Sequence, residues 1–189
     1  MELNNLGCEM VEKALSLGAF KAAVIPVSDV KTDPHFRTLC EKNLCGKYGR
    51  CWTCPPDAGD INELIARIHK FEYAFVYQTV SELEDSFDIE GMAEAATRHN
   101  ELMQTFLVTY TPDTVGCPVL HLGAGGCHVC ERCAKIDNQP CRYPEKAISS
   151  LETYGINVSE LAKSSGMKYI NGQDTVTYFG AVLFGVKKG

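Results

Sequence analysis

Ten cysteines stand in this 189-residue chain, and eight of them fall into two groups of four. The downstream group is Cys127-x₂-Cys130-x₂-Cys133, followed by Cys141 in the run Pro140-Cys141-Arg142-Tyr143-Pro144. Iron–sulfur clusters are held by cysteine thiolates, and bacterial ferredoxin runs begin with this C-x₂-C-x₂-C spacing. The upstream group is Cys40-x₄-Cys45-x₅-Cys51-x₂-Cys54, closed by Pro55-Pro56. A single zinc ion would gather its four thiolates within about 4 Å of one another, commonly two from each of two knuckles. In a cubane each thiolate binds a different iron, so three cysteines within seven residues can wrap one corner. The downstream spacing points to a [4Fe–4S] cluster, with structural zinc as the alternative.

The upstream group matches no ferredoxin spacing, and Cys51-x₂-Cys54 is also half of a zinc ribbon. Cluster and zinc both stay open there. Cys51-Trp52-Thr53-Cys54-Pro55 has the look of a thioredoxin-like dithiol as well. That motif should open a helix directly after an apolar strand, whereas a glycine-containing loop, Asn43 to Arg50, precedes it here. His121 precedes the downstream run and His128 lies within it, but four cysteines leave them no vacancy. Ala124-Gly125-Gly126 lets backbone approach a bulky cofactor and offers N–H groups to its sulfides. Cys8 and Cys117 are spares, expected to pack as small apolar side chains.

The length fits one domain, residues 1–189, with cysteine loops at about 40–59 and 124–144. Residues Met1 to Asn5 lack the basic start and apolar stretch of a secretory signal, and no apolar run is long enough to span a bilayer. Clustered cysteines in such a chain indicate metal rather than disulfides, and a reducing, cytoplasmic setting with no membrane insertion. Net charge is −6, which excludes a general nucleic-acid binder. Acidic residues from Glu82 to Glu94 fit a solvated helix start, while Arg37, Lys42, Lys47 and Arg50 surround the upstream cysteines.

Positioning these loops requires a scaffold, and the pattern supplies about five strands and five or six helices. Leu6, Met10, Val11, Ala14 and Leu15 repeat at helical spacing and Gly18 ends the run. Residues 22–27 read as a strand whose Pro26 points to an edge position or an early end. Asp33-Pro34 starts a short helix toward Cys40, and Asp60-x-x-Glu63 caps another bearing Ile61, Leu64, Ile65 and Ile68. Tyr73–Val80 and Val119–Gly123 read as strands. The longest helix runs from about Ile89 to Phe106, with His99 as a packing residue on its inner face. Pro144 is expected to open a helix reaching Tyr154-Gly155, and Asn157 to cap one over Val158–Ser165. Met167–Ile170, Asn171-Gly172 and Thr175–Phe184 read as a hairpin with a type I′ turn. The fold class is α/β or α+β: one mixed sheet, flanking helices and two cysteine-rich metal-binding loops.

With these motifs in hand, the chain resembles a prokaryotic cysteine-rich family described as predicted metal-binding protein, a domain of unknown function. The matching stretches are Cys45-Gly46-Lys47-Tyr48-Gly49-Arg50, Trp52-x-Cys54-Pro55-Pro56, Gly126-Cys127-x-x-Cys130-x-x-Cys133 and Pro140-Cys141-Arg142-x-Pro144. Ser150-x-Glu152-x-Tyr154-Gly155-Ile156-x-Val158 and Gly180-x-Val182-Leu183 also match, so the likeness runs from about residue 35 to the end. The resemblance implies metal binding and iron–sulfur ligation, and attaches no reaction.

Three functions compete. Two [4Fe–4S] clusters fully ligated by thiolates suit electron transfer with a redox partner protein, because no dinucleotide, phosphate-loop or flavin motif is present. A cluster-dependent enzyme or accessory factor for sulfur or one-carbon chemistry requires one labile iron, with Tyr48, Arg50 and Arg142 as neighbouring acid–base or anion-binding groups. A pair of structural zinc sites is the third, weakened because a chain with this much apolar core needs few staples.

Overall fold

The computed structural model describes residues 3–186. Its elements are α1 (Leu3–Ser16), β1 (Lys21–Pro26), α2 (Phe36–Glu41), α3 (Ile61–Ile68), β2 (Phe71–Glu82), α4 (Ile89–Thr109) and α5 (Pro112–Val115). They continue with β3 (Val119–Gly123), β4 (Ser149–Ser150), α6 (Val158–Ser164) and β5 (Thr175–Val186). The strands form one sheet in the order β1-β2-β5-β3-β4. Only β3 and β4 run parallel; the other pairs are antiparallel. The fold is α+β with a mixed sheet.

Side chains of a strand alternate between faces, and both faces of this sheet are covered. On one side Ala74, Val76, Phe179, Ala181 and Leu183 pack against α3, α6 and the turn at Leu151–Ile156. On the other, Phe75, Tyr77, Val182 and Phe184 pack against Leu6, Met10 and Ala14 of α1 and Leu102, Met103 and Phe106 of α4. That explains why β2 and β5 read as nearly continuous apolar runs. Tyr77 lies over Gly180, its partner across the ladder. A Cβ at Gly180 would come within 2.3 Å of the tyrosine ring and hydroxyl.

Local signals hold where caps and periodicity agree. The Asp60 side chain accepts from Asn62 and Glu63 N–H, and α3 buries Ile61, Leu64 and Ile68. Pro26 ends β1, which is an edge strand. Asp88 caps α4 by accepting from the Gly91 N–H.

Three expectations are corrected. No helix spans 144–154: a 3₁₀ turn at Pro144–Lys146 gives way to β4 and a second 3₁₀ turn at Glu152–Tyr154. Ile148 and Leu151, which would share a helix face, enter opposite core layers instead, and the Leu151 N–H bonds the Gly123 carbonyl. No hairpin forms before β5 either. Residues 167–170 pair with no strand, because their groups are spent elsewhere: the Lys168 carbonyl accepts from the Gln78 side-chain amide. Met167 is buried in the core, and the Asn171 amide donates to the Lys168 carbonyl and the Thr177 hydroxyl. Cys8 is exposed rather than packed. It lies two residues from both Leu6 and Met10, about half a turn away from the buried face.

The elements that carry the cysteine loops are clasped together. Asp33 N–H bonds the Gly155 carbonyl, Asn157 N–H bonds the Lys31 carbonyl, and Thr32 bridges Ile156. The segment leading into the first cysteine loop is thus fastened to the segment leaving the second. Arg67 of α3 donates to the Tyr154 hydroxyl at 3.3 Å, tying the far end of the first loop to the same turn.

His99 is fully buried on α4 and shares a 2.9 Å hydrogen bond through Nδ1 with the Thr79 hydroxyl. Burial lowers its pKa from the usual 6.5 to about 4. Between those values the unfolded chain binds a proton that the folded chain refuses, so stability rises with pH across the window. Lowering the pH from 7 to 5 is expected to cost about 2 kcal/mol through this residue. Urea denaturation of the native chain and of His99→Gln at both pH values checks this; the variant should lose that part of the pH dependence.

Candidate metal centre

The first cysteine loop runs from the end of α2 to the start of α3. Asn43 accepts the Tyr48 N–H through its side chain, the Gly49 N–H bonds the Pro55 carbonyl, and Arg37 Nη2 donates to the Gly59 carbonyl at 2.9 Å. The segment around Cys51 to Pro55 is a series of turns with no helix, so the structure lacks the frame of a thioredoxin-like dithiol. The second loop leaves the C-terminal end of β3 and returns at β4. Within it, Arg142 Nη1 donates to the Arg132 carbonyl at 2.9 Å and Arg132 bonds Asp137 at 2.8 Å.

The two loops lie against each other. Trp52 Nε1 donates to the Gln139 carbonyl at 2.9 Å. Lys135 pairs with Asp57, and its ammonium stands 4.4 Å over the Trp52 ring. Gly126 faces the first loop so closely that a Cβ there would sit 3.2 Å from Cys54 Sγ and 3.3 Å from Lys47 Cγ. All ten cysteines are free.

The thiols do not divide as the sequence groups them. Cys127, Cys130, Cys133 and Cys141 line one small pocket, and Cys51 of the other loop lines it with them. Cys40 and Cys45 line a different pocket, together with Phe36, Leu39 and Glu152. Cys54 lies between, buried beside Cys51 and Gly126. Among the described residues, no three Cys, His, Asp or Glu side chains close on one point. The thiols surround pockets instead.

Burial is the first cause of the shift at two of these thiols. It raises the Cys40 and Cys127 thiols above the ordinary range. Cys51 is lowered, first by a hydrogen bond from the Cys54 thiol and also by Thr53 and the Cys127 N–H. Cys54, the donor of that pair, is raised correspondingly. Buried thiols that resist ionisation alone become thiolates when a cationic centre lies among them, and bound metal deprotonates a coordinating thiol outright. The donor set therefore fits a soft, sulfur-seeking metal or cluster. Soft thiolates alone do not separate zinc from iron–sulfur chemistry.

This chemistry agrees with the comparison to known families. The family described as predicted metal-binding protein (DUF2284) matches residues 23–184. The chain belongs to that family. No curated protein and no solved structure matches the chain. Family membership supports metal binding and leaves the identity of the metal open.

The remaining candidates take other roles. His121 Nε2 bonds the Tyr110 carbonyl at 2.9 Å and does not line the cysteine pocket. His128 lines an adjoining small pocket with the glycine run, Lys146 and Cys127, and burial lowers its pKa. Cys117 packs at the margin of the α1–α4 core. The group missed from the sequence is Glu152, whose carboxyl is raised by burial and lies within electrostatic reach of Cys40. Its only signal was its place in the Ser150–Val158 run of the resemblance.

Trp52→Phe keeps the ring under Lys135 but loses the bond to Gln139. It should cost about 1 kcal/mol of stability and lower metal retention during dialysis against chelator. Cys117→Ala should keep its full metal content by elemental analysis; loss of metal would show that the ligand set is wrongly drawn.

Proposed function

We propose that this protein holds two [4Fe–4S] clusters through its eight grouped cysteines and passes single electrons to or from a redox partner protein. The observation that carries the reading is the contact between the two cysteine loops, with Cys54 against Gly126 and Trp52 bonded to Gln139. Two centres held by loops in contact lie close enough for an electron to move between them. A cluster takes up and releases one electron without needing an open iron. The chain contributes the rest. Burial of Cys51 and Cys54 excludes water from the space between the loops. Arg37 acts on Cys40, and Lys47 stands beside Gly126, so two cations offset the negative charge of thiolate-bound clusters.

A second reading, an enzyme with one iron open to substrate, is favoured by the pocket where Cys40, Cys45 and Glu152 meet apolar Phe36 and Leu39. The candidates Tyr48, Arg50 and Arg142 serve it less well. Arg142 is committed to the Arg132 carbonyl, and Tyr48 and Arg50 are absent from that pocket.

Anaerobic purification followed by iron, zinc and acid-labile sulfide analysis tests the proposal. About eight iron and eight sulfide per chain, with absorption that bleaches on reduction, is the expected result. About two zinc without sulfide would replace it with a structural module. Cys130→Ala and Cys45→Ala should each lose roughly half of the iron if each disables one of two clusters.

A further inference from the structure

We propose that Cys51 crosses from its own loop to serve the downstream centre, where it and Cys141 compete for the fourth ligand position. The inference rests on the reading of both loops as metal-binding and concerns which thiols act together. Five thiols line the downstream pocket: Cys51, Cys127, Cys130, Cys133 and Cys141. A tetrahedral ion takes four, and a cubane takes one per iron, so one thiol is surplus. The C-x₂-C-x₂-C run supplies three of the four positions from a single turn of chain.

Cys51 and Cys141 contend for the remaining one from two different loops, and Cys127 is within electrostatic reach of both. Each is held in place. Cys141 is followed by Arg142, which is anchored to the Arg132 carbonyl. Cys51 is 2% exposed and sits 3.4 Å from the Thr53 hydroxyl. Cys40 and Cys45, its nominal companions, line the other pocket with no residue in common. A spare thiol at one position lets ligand exchange occur without releasing the metal. It also leaves Cys40, Cys45 and Cys54 as the thiols free to serve the upstream centre while Cys51 is engaged downstream.

The test uses the full chain carrying Cys40→Ser and Cys45→Ser, so that bound metal reports the downstream pocket. The apoprotein is titrated with cobalt(II), whose sulfur-to-metal absorption scales with the number of thiolates. The expected result is that Cys141→Ser in this background keeps the thiolate absorption, and that adding Cys51→Ser weakens binding by at least about tenfold. Cys51→His beside Cys141→Ser should keep the metal with one thiolate fewer, since imidazole is also a ligand. The single Cys141→Ser variant, with all upstream cysteines intact, guards against loss of fold and should load cobalt as the native chain does. Loss of all binding in Cys141→Ser, or an absorption indifferent to Cys51→Ser, overturns the inference. A native chain that loads cobalt but never iron and sulfide overturns the cluster reading and leaves this inference standing. A native chain that takes up neither overturns both.

Discussion

One lysine fastens the two cysteine loops. Lys135, in the turn that follows Cys133, pairs with Asp57 just beyond Cys54, and both side chains are largely withdrawn from water. The same ammonium lies over Trp52, between Cys51 and Cys54. A buried ion pair recovers little net free energy, because desolvation offsets most of the attraction. The second oxygen of Asp57 is buried without a hydrogen-bond partner, which adds to the cost. What the pair provides is register: it admits one placement of the second loop on the first. Every close approach between thiols of the two loops depends on that placement.

The sheet makes the placement reachable. β3 leads directly into the second loop, and α2 and α3 bracket the first. The turn at Glu152–Ile156 packs on α2 and α3 after leaving β4. Closure of the site is therefore shared between backbone bonds at its base and side-chain contacts at its rim. At the base are the Asp33–Gly155 and Lys31–Asn157 bonds. At the rim are Trp52 with Gln139 and Lys135 with Asp57. Cations stand near the thiols at Arg37 of α2 and Lys47 of the first loop, which agrees with the basic residues clustered in that part of an otherwise acidic chain.

Elements governed by neighbours in sequence were legible before the structure. α3 follows from its Asp60 cap and three inward isoleucine and leucine positions, and the edge position of β1 follows from Pro26. Elements governed by distant partners were not. Ile148 and Leu151 carry helical spacing, yet pairing with β3 sends them to opposite faces. The Asn171-Gly172 turn signal is sound locally, but its would-be strand is drawn away by Met167 in the core and by the Gln78 amide on the Lys168 carbonyl. The candidate site divides in the same way. Cysteine spacing alone picks out the eight grouped thiols. It cannot reveal that Cys51 faces the other loop, because that contact is made by Trp52, Lys135 and Gln139 across the fold.

The position of β5 has a consequence for how the site comes into being. It is the last of the described strands in chain order, yet it lies between β2 and β3. As the chain leaves the ribosome, both sets of thiols emerge while the middle of the sheet is still missing. The two halves carrying them have no ladder in common until residues 175–186 slide between them. The ladder that joins the two halves therefore forms only after all eight grouped cysteines have been made, and until then only the clasp at Asp33–Gly155 and Lys31–Asn157 and the contacts between the loops can hold them together.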